Sequence, residues 1–188
     1  NGLYTNEGHL VLVNSGVKDF DVTPAGADGV QDVAYLNSTG LRRVSTYYQT
    51  TYPYDLVIVD DAVYSGTNWP GARLVRAGRL DAGTGDDYVA LTTNSRTVLI
   101  LLDGTTATNF IPGPRIYDVV LGNFTGDSKQ EIALLTETDL TLVDFTGTVL
   151  ASVSGTRYEA DRIARIHNTA SGLDAIAWMT RQDLDTTT

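Results

Sequence analysis

Four acidic residues, Asp32, Asp87, Glu131 and Asp174, each open an apolar run and follow a short polar turn. Their separations of 55, 44 and 43 residues set a period near 44, with a longer first interval. A unit that short cannot bury an apolar face alone, so a chain repeating on this period must stack copies of one supersecondary element. The copies align as AGRLDAGTGDDYVAL (Ala77 to Leu91), LGNFTGDSKQEIALL (Leu121 to Leu135), PAGADGVQDVAYL (Pro24 to Leu36) and, more weakly, IHNTASGLDAIAWM (Ile166 to Met179).

The copy from Tyr117 onward shows the unit most clearly. Short β-forming runs at Tyr117 to Phe124, Glu131 to Glu137, Leu140 to Phe145 and Val149 to Val153 are separated by turns at Gly126, Thr138 and Gly147. Four antiparallel strands repeated at such a period make a propeller blade, whereas a β-sandwich has short strands without a fixed period. The expected fold is therefore all-β: a β-propeller of about four four-stranded blades in one domain, 1–188. The blades fall near 17–70, 71–114, 115–156, and 157–188 together with 1–16.

The last copy supplies two strands and the first sixteen residues another pair. N-terminal strands are thus expected to complete the last blade, with Leu10 to Val13 in the sheet of Ala175 to Met179, closing a ring and removing exposed edges. The rival is half of a larger ring, completed by a second copy in a homo-oligomer or by sequence outside this chain. The opening Asn1-Gly2 reads as a mature or excised piece.

Charge and composition narrow the function classes. With 23 acidic against 13 basic residues and a net charge of −10, the chain repels nucleic-acid phosphates and anionic membrane surfaces alike. No run approaches 18 apolar residues, so no membrane-spanning helix is expected. There is no cysteine, and the two histidines, His9 and His167, lack a zinc-site spacing. Gly83-Thr84-Gly85 lacks the lysine of a phosphate loop, and no nucleophile elbow occurs. Asp60-Asp61, directly after the strand-like DLVIV, reads as a solvated turn; the competing reading is a carboxylate pair across a glycosidase cleft. These residues point away from an enzyme.

The pattern Gly-x-apolar-x-x-Asp-Gly-x-x-Asp followed by an apolar strand resembles the FG-GAP/VCBS repeat of integrin-α-type propellers. The resemblance covers most of the chain and is strongest from Ala72 to Gly155. It implies an extracellular or cell-surface propeller that binds glycans or proteins, in several cases with calcium in the loop between first and second strands. Carried onto this chain, the calcium ligands are Asn123, Thr125, Asp127 and Glu131, with the Lys129 carbonyl. In the preceding copy the positions hold Arg79, Asp81, Gly83 and Asp87, where the Arg79 guanidinium can neutralise Asp81 and Asp87 in place of a metal. The competing reading is a set of metal-free turns whose acids accept backbone N–H bonds.

The longer first interval places six of the chain's aromatics between Tyr47 and Trp69. Tyr52 and Trp69, with Tyr54 and Tyr64, are the expected ligand-binding residues, standing on a long loop with open faces for a sugar ring or a protein. The alternative is that they pack between blades. The function expected is a non-catalytic extracellular binding module for a glycan or protein. The alternatives are a structural or assembly subunit of a surface polymer and, third, a polysaccharide-degrading enzyme.

Overall fold

Strands that are apolar at nearly every position need cover on both faces, and the structure supplies it by stacking sheets. The computed structural model describes residues 2–4, 10–12, 16–25, 29–48, 56–83, 85–127, 129–154, 160–168 and 170–180. β1 (Gly2–Tyr4) and β2 (Leu10–Leu12) form a two-stranded sheet. A first four-stranded antiparallel sheet follows, made of β3 (Asp19–Val22), β4 (Val33–Asn37), β5 (Gly40–Tyr48) and β6 (Leu56–Tyr64). The second contains β7 (Ala72–Gly78), β8 (Asp87–Thr92), β9 (Val98–Leu102) and β10 (Thr106–Phe110). The third contains β11 (Ile116–Gly122), β12 (Glu131–Thr136), β13 (Asp139–Val143) and β14 (Val149–Ser154), and a final pair is β15 (Ala160–His167) with β16 (Asp174–Thr180). Every four-stranded sheet is a meander of sequence neighbours, and the described residues contain no helix.

The sheets stack in sequence order. Ala34, Leu36 and Leu41 of the first meet Val75, Tyr88, Ala90, Leu99 and Leu101 of the second. Leu74, Val89, Leu91 and Ile100 of the second meet Val119, Leu121, Ile132 and Leu134 of the third. Val120, Ala133, Leu135 and Leu140 of the third meet Ile163 and Ile176 of the β15–β16 pair. Alternate residues of one strand thus serve opposite interfaces, Tyr88 and Ala90 backward and Val89 and Leu91 forward. All six positions of β8 and of β12 are consequently buried, while the outer strand β14 is exposed throughout.

The first strands stand side by side, β3 against β7, β7 against β11 and β11 against β15. Each is an edge strand whose outward backbone groups need partners. Asp19 accepts from the Val75 N–H at 2.9 Å, Asp21 from Ala77 N–H at 3.0 Å, and Asp118 from Ile163 N–H at 3.0 Å. Between β7 and β11 the polarity reverses. Arg76 Nε donates to the Val119 carbonyl at 2.9 Å, and Arg73 Nη2 to those of Ile116 and Tyr117 at 3.0 and 3.1 Å. Arg76 also spans two acids, 2.9 Å from Asp19 and 3.4 Å from Asp118. Replacing Arg76 with Met leaves the Asp118 carboxylate, 3 % exposed, with Arg162 at 3.9 Å as its remaining ion-pair partner among the described residues. The expected cost is about 2–3 kcal/mol in urea unfolding. A loss below about 0.5 kcal/mol, the level of an exposed ion pair, contradicts this account.

Register irregularities at the same place in β7, β11 and β15 put Leu74, Asp118 and Arg162 in equivalent positions, 44 residues apart. This corrects the fourth acidic landmark. The equivalent of Glu131 is Ala175, and Asp174 stands where Gln130 stands. Both residues reach back to the preceding sheet in the same way. The Gln130 N–H bonds the Arg79 carbonyl while its side chain accepts from Arg79 N–H, and Asp174 does the same with Asn123.

The expected pairing of Leu10 to Val13 with Ala175 to Met179 is not the one found. β2 pairs with β1 as a sheet of its own and β16 pairs with β15, while Val13 lies outside the described residues. Repeat length counts the residues a sheet needs; it carries no information on which edge they meet. The surplus of the first interval lengthens β5 and β6 to nine residues each, against five in β9 and β10. Asp60 and Asp61 accordingly lie inside β6 and not in a turn after it. Asp60 accepts the buried Tyr35 hydroxyl at 2.9 Å and pairs with Arg42 Nε at 2.9 Å.

Candidate functional site

The loops joining first to second strands gather most of the chain's candidate chemistry. In the loop after β11, Glu131 is 4 % exposed and its carboxylate accepts Phe124 N–H at 2.7 Å, Thr125 N–H at 3.2 Å and the Thr125 hydroxyl at 2.7 Å. Asn123 Oδ1 accepts Gly126 N–H at 2.8 Å and Asp127 Oδ1 accepts Lys129 N–H at 2.9 Å. Gly126, at φ 90°, supplies the left-handed turn this path requires. Of the side-chain oxygens assigned to calcium by resemblance, those of Asn123, Asp127 and Glu131 accept donors of their own loop, and the Thr125 hydroxyl donates to Glu131.

The loop after β7 repeats the device and adds a third acid. Asp87, 1 % exposed, accepts Leu80 N–H at 2.6 Å, Asp81 N–H at 3.3 Å and Asp103 N–H at 2.8 Å. Asp103 comes from the β9–β10 turn, where it and Gly104 both adopt left-handed φ values of 49° and 66°. Its carboxylate accepts Gly85 N–H at 2.9 Å and occupies the space a Cβ would take on Gly83 or Gly85. One ligand atom each of Asp81, Asp87 and Asp103 lies within 4.8 Å of the others. Burial pushes the Asp87 carboxyl up, with the Asp81 charge adding to it, against the pull of the three N–H donors.

Nothing in the sequence pattern ties Asp103 to this group, because a hairpin turn sixteen residues downstream brings it there. Arg79 does not serve as the neutralising cation expected of it. Its guanidinium donates to the Ala25 carbonyl at 2.9 Å, bridging to the first sheet. Chemically the three acids form a local negative pole whose most buried member is held by amides.

Where β15 ends and β16 begins, His167 Nδ1 lies 2.7 Å from Asp174 Oδ1, and the Asp174 side chain is 4 % exposed. Burial opposes ionisation of Asp174, but the His167 ring, Asn123 N–H and nearby Arg165 outweigh it and hold the carboxyl below its ordinary value. A depressed carboxyl contributes stability above the unfolded value, lost as pH falls through the folded one. His167→Ala removes the strongest of the depressing partners, so the Asp174 titration, followed by carboxyl NMR, is expected to move upward. Acid unfolding should then begin at higher pH; an unmoved titration contradicts the assignment.

The aromatic stretch is placed differently from the expectation. Trp69 is 2 % exposed and packs between the first and second sheets against Leu36, Leu41, Ala72, Leu99 and Leu101. Its indole meets the half-buried Tyr64 edge to face, ring centres 5.7 Å apart. The turn from Gly66, with Asn68 at φ 74°, drives the side chain inward in place of displaying it. Trp69 and Tyr64 are thus core-facing, a correction to the open loop faces expected of them. Tyr52 and Tyr54 lie outside the described residues. Tyr47, at the end of β5 and 53 % exposed, is the aromatic face in this stretch that solvent reaches.

The chain matches no protein-family model, and no curated protein matches it.

Proposed function

We propose that the chain is a non-catalytic binding module of propeller type, its sheets set radially around the line of first strands, working outside the cell on a glycan or protein. The observation that carries the reading is the ladder β3–β7–β11–β15. Meanders stacked face to face with first strands adjacent are the arrangement of propeller blades, and the loop motif resembles the FG-GAP/VCBS repeat. Fold by itself does not give function. Support for a binding role comes from the charged groups: Asp19, Asp21, Arg76 and Asp118 are spent on joining sheets, and Asp87 and Glu131 on closing loops.

The exposed Tyr47 and the adjoining segment with Tyr52 and Tyr54 form the proposed contact region. A labelled chain on a broad array of glycans and extracellular proteins is expected to show saturable binding. Tyr47→Ala should weaken that binding about tenfold, the scale of a single aromatic contact, with the melting temperature unchanged. An array without binders, or a Tyr47→Ala chain that binds as well as the original, overturns the reading. A second role, as an assembly subunit, is favoured by the exposed apolar side chains at both ends of the stack, Phe20 and Val22 at one and Ile166 at the other.

A further inference from the structure

Each internal interface is formed by the forward face of one sheet and the backward face of the next, and each end of the stack leaves part of one such face exposed, Tyr35 and Val44 on the backward face of the first sheet being buried beside Val17. The backward face of the first sheet carries Phe20 and Val22, 49 % and 44 % exposed, with Ile58 at 42 %. Val75, which occupies the position of Phe20 in the second sheet, is fully buried, as is Val119 in the third. The forward face of the β15–β16 pair carries Ala164, Ile166 and Ala175, all exposed, beside Arg162. Ile166 is 53 % exposed, whereas its equivalents Gly78 and Gly122 are covered by the following sheet.

The first strands at the two ends also differ in charge, although Asp19 and Asp21 of β3 lie on the side turned to β7, opposite Phe20 and Val22. Acids stand on β3 and β11 and arginines on β7 and β15, though not at one register position: Asp19, Leu74, Asp118 and Arg162 are equivalent, and Arg76 lies two residues beyond Leu74. Arg76 of β7 is held between Asp19 on one side and Asp118 on the other. Arg162 of β15 meets Asp118 on one side, at 3.9 Å, and its other side is solvent, the side chain being 69 % exposed. The strand that continues the alternation is an acid strand of the β3 kind. The chain's own β3 does not fill the place, because Phe20 and Ile166 would then be covered as Val75 and Val119 are.

We infer that a second copy of this chain docks head to tail, the β3 face of one copy against the β15–β16 face of the other, with Phe20 and Val22 packed over Ala164 and Ile166 and Arg162 drawn to the partner's acid strand. Two such contacts close a two-fold pair in which both open faces of both copies are buried. The inference stands on the stacking of the sheets and is independent of what the module binds.

Sedimentation equilibrium at micromolar concentration is expected to give twice the 20.2 kDa chain mass. Phe20→Glu and Ile166→Lys alter exposed side chains, so each chain should keep its circular dichroism and melting profile while its mass falls by half. Mixing the two variants should restore the pair, since one contact is then Glu against Lys and the other is unaltered. An open-ended assembly abolished by the same substitutions also supports the contact. A monomeric original chain overturns the inference, including the case where both variants stay monomeric and melt earlier, which marks closure within one chain. A pair indifferent to both substitutions overturns it as well. Should one variant fail to fold, the other alone decides, by mass.

Discussion

Asp87→Ala is expected to remove about 4 kcal/mol of unfolding free energy, a substantial share of the roughly 5–15 kcal/mol that a folded domain carries. The carboxylate is buried and receives three backbone N–H donors, from Leu80, Asp81 and Asp103, across two loops. Alanine leaves all three without an acceptor in a place water enters poorly, and the desolvation cost of each falls on the native state alone. Asp87→Asn keeps one acceptor oxygen and turns an amide group toward the remaining donors, so it should lose roughly half as much. Urea unfolding of both variants measures the series. A loss below about 1 kcal/mol for alanine means that the loop relaxes to reach solvent and that the acid does not hold it. Acidification has the opposite sign from simple loss of a pair. Burial raises the Asp87 carboxyl, so the native state takes up its proton before the unfolded chain does, and this residue's own contribution favours folding as pH falls through that raised value.

Trp69→Ala should cost about 4 kcal/mol, the range for removing a large aromatic from a packed interior. The side chain fills the space between the first two sheets, and Tyr64, which packs edge-on against it, loses its support. The prediction separates two meanings of an aromatic-rich segment. A ligand-facing tryptophan is replaced with little change in melting temperature and loss of binding; a core tryptophan destabilises the fold. A melting temperature within about a degree of the original, a shift far below that produced by 1 kcal/mol, contradicts the buried position. Tyr47→Ala provides the contrast, being a change at a face already in water.

Much of the architecture is legible in the sequence. DYVALT, VLILL and EIALLT are apolar on both alternating sets, which requires a strand covered on two sides. Their recurrence with polar turns between them implies stacked sheets of one kind. The observed β11 to β14 lie within a residue or two of the runs expected there. The acid opening β8 and β12 was readable too, and so was the alternative that it binds loop amides, since a carboxylate next to a Gly-rich turn has N–H groups within reach.

Legibility failed where a residue's role depends on a partner from another repeat. Asp174 opens an apolar run as Glu131 does, yet it belongs one position earlier, because its partner is the Asn123 backbone of the preceding sheet. Arg79 sits among acids in sequence and reaches instead to Ala25, 54 residues away. Asp103 joins Asp81 and Asp87 only because a left-handed turn folds it back.

By itself the sequence determined the period, the all-β character and the strands and turns of the β11–β14 unit, since these depend on local preferences and on the alternation of side chains along an extended backbone. Only the tertiary structure decided the direction Trp69 takes, the ladder of Asp and Arg side chains across first strands, and the open faces at β3 and β15. Each is set by what packs opposite, and a linear chain does not state which of its repeats lies against which.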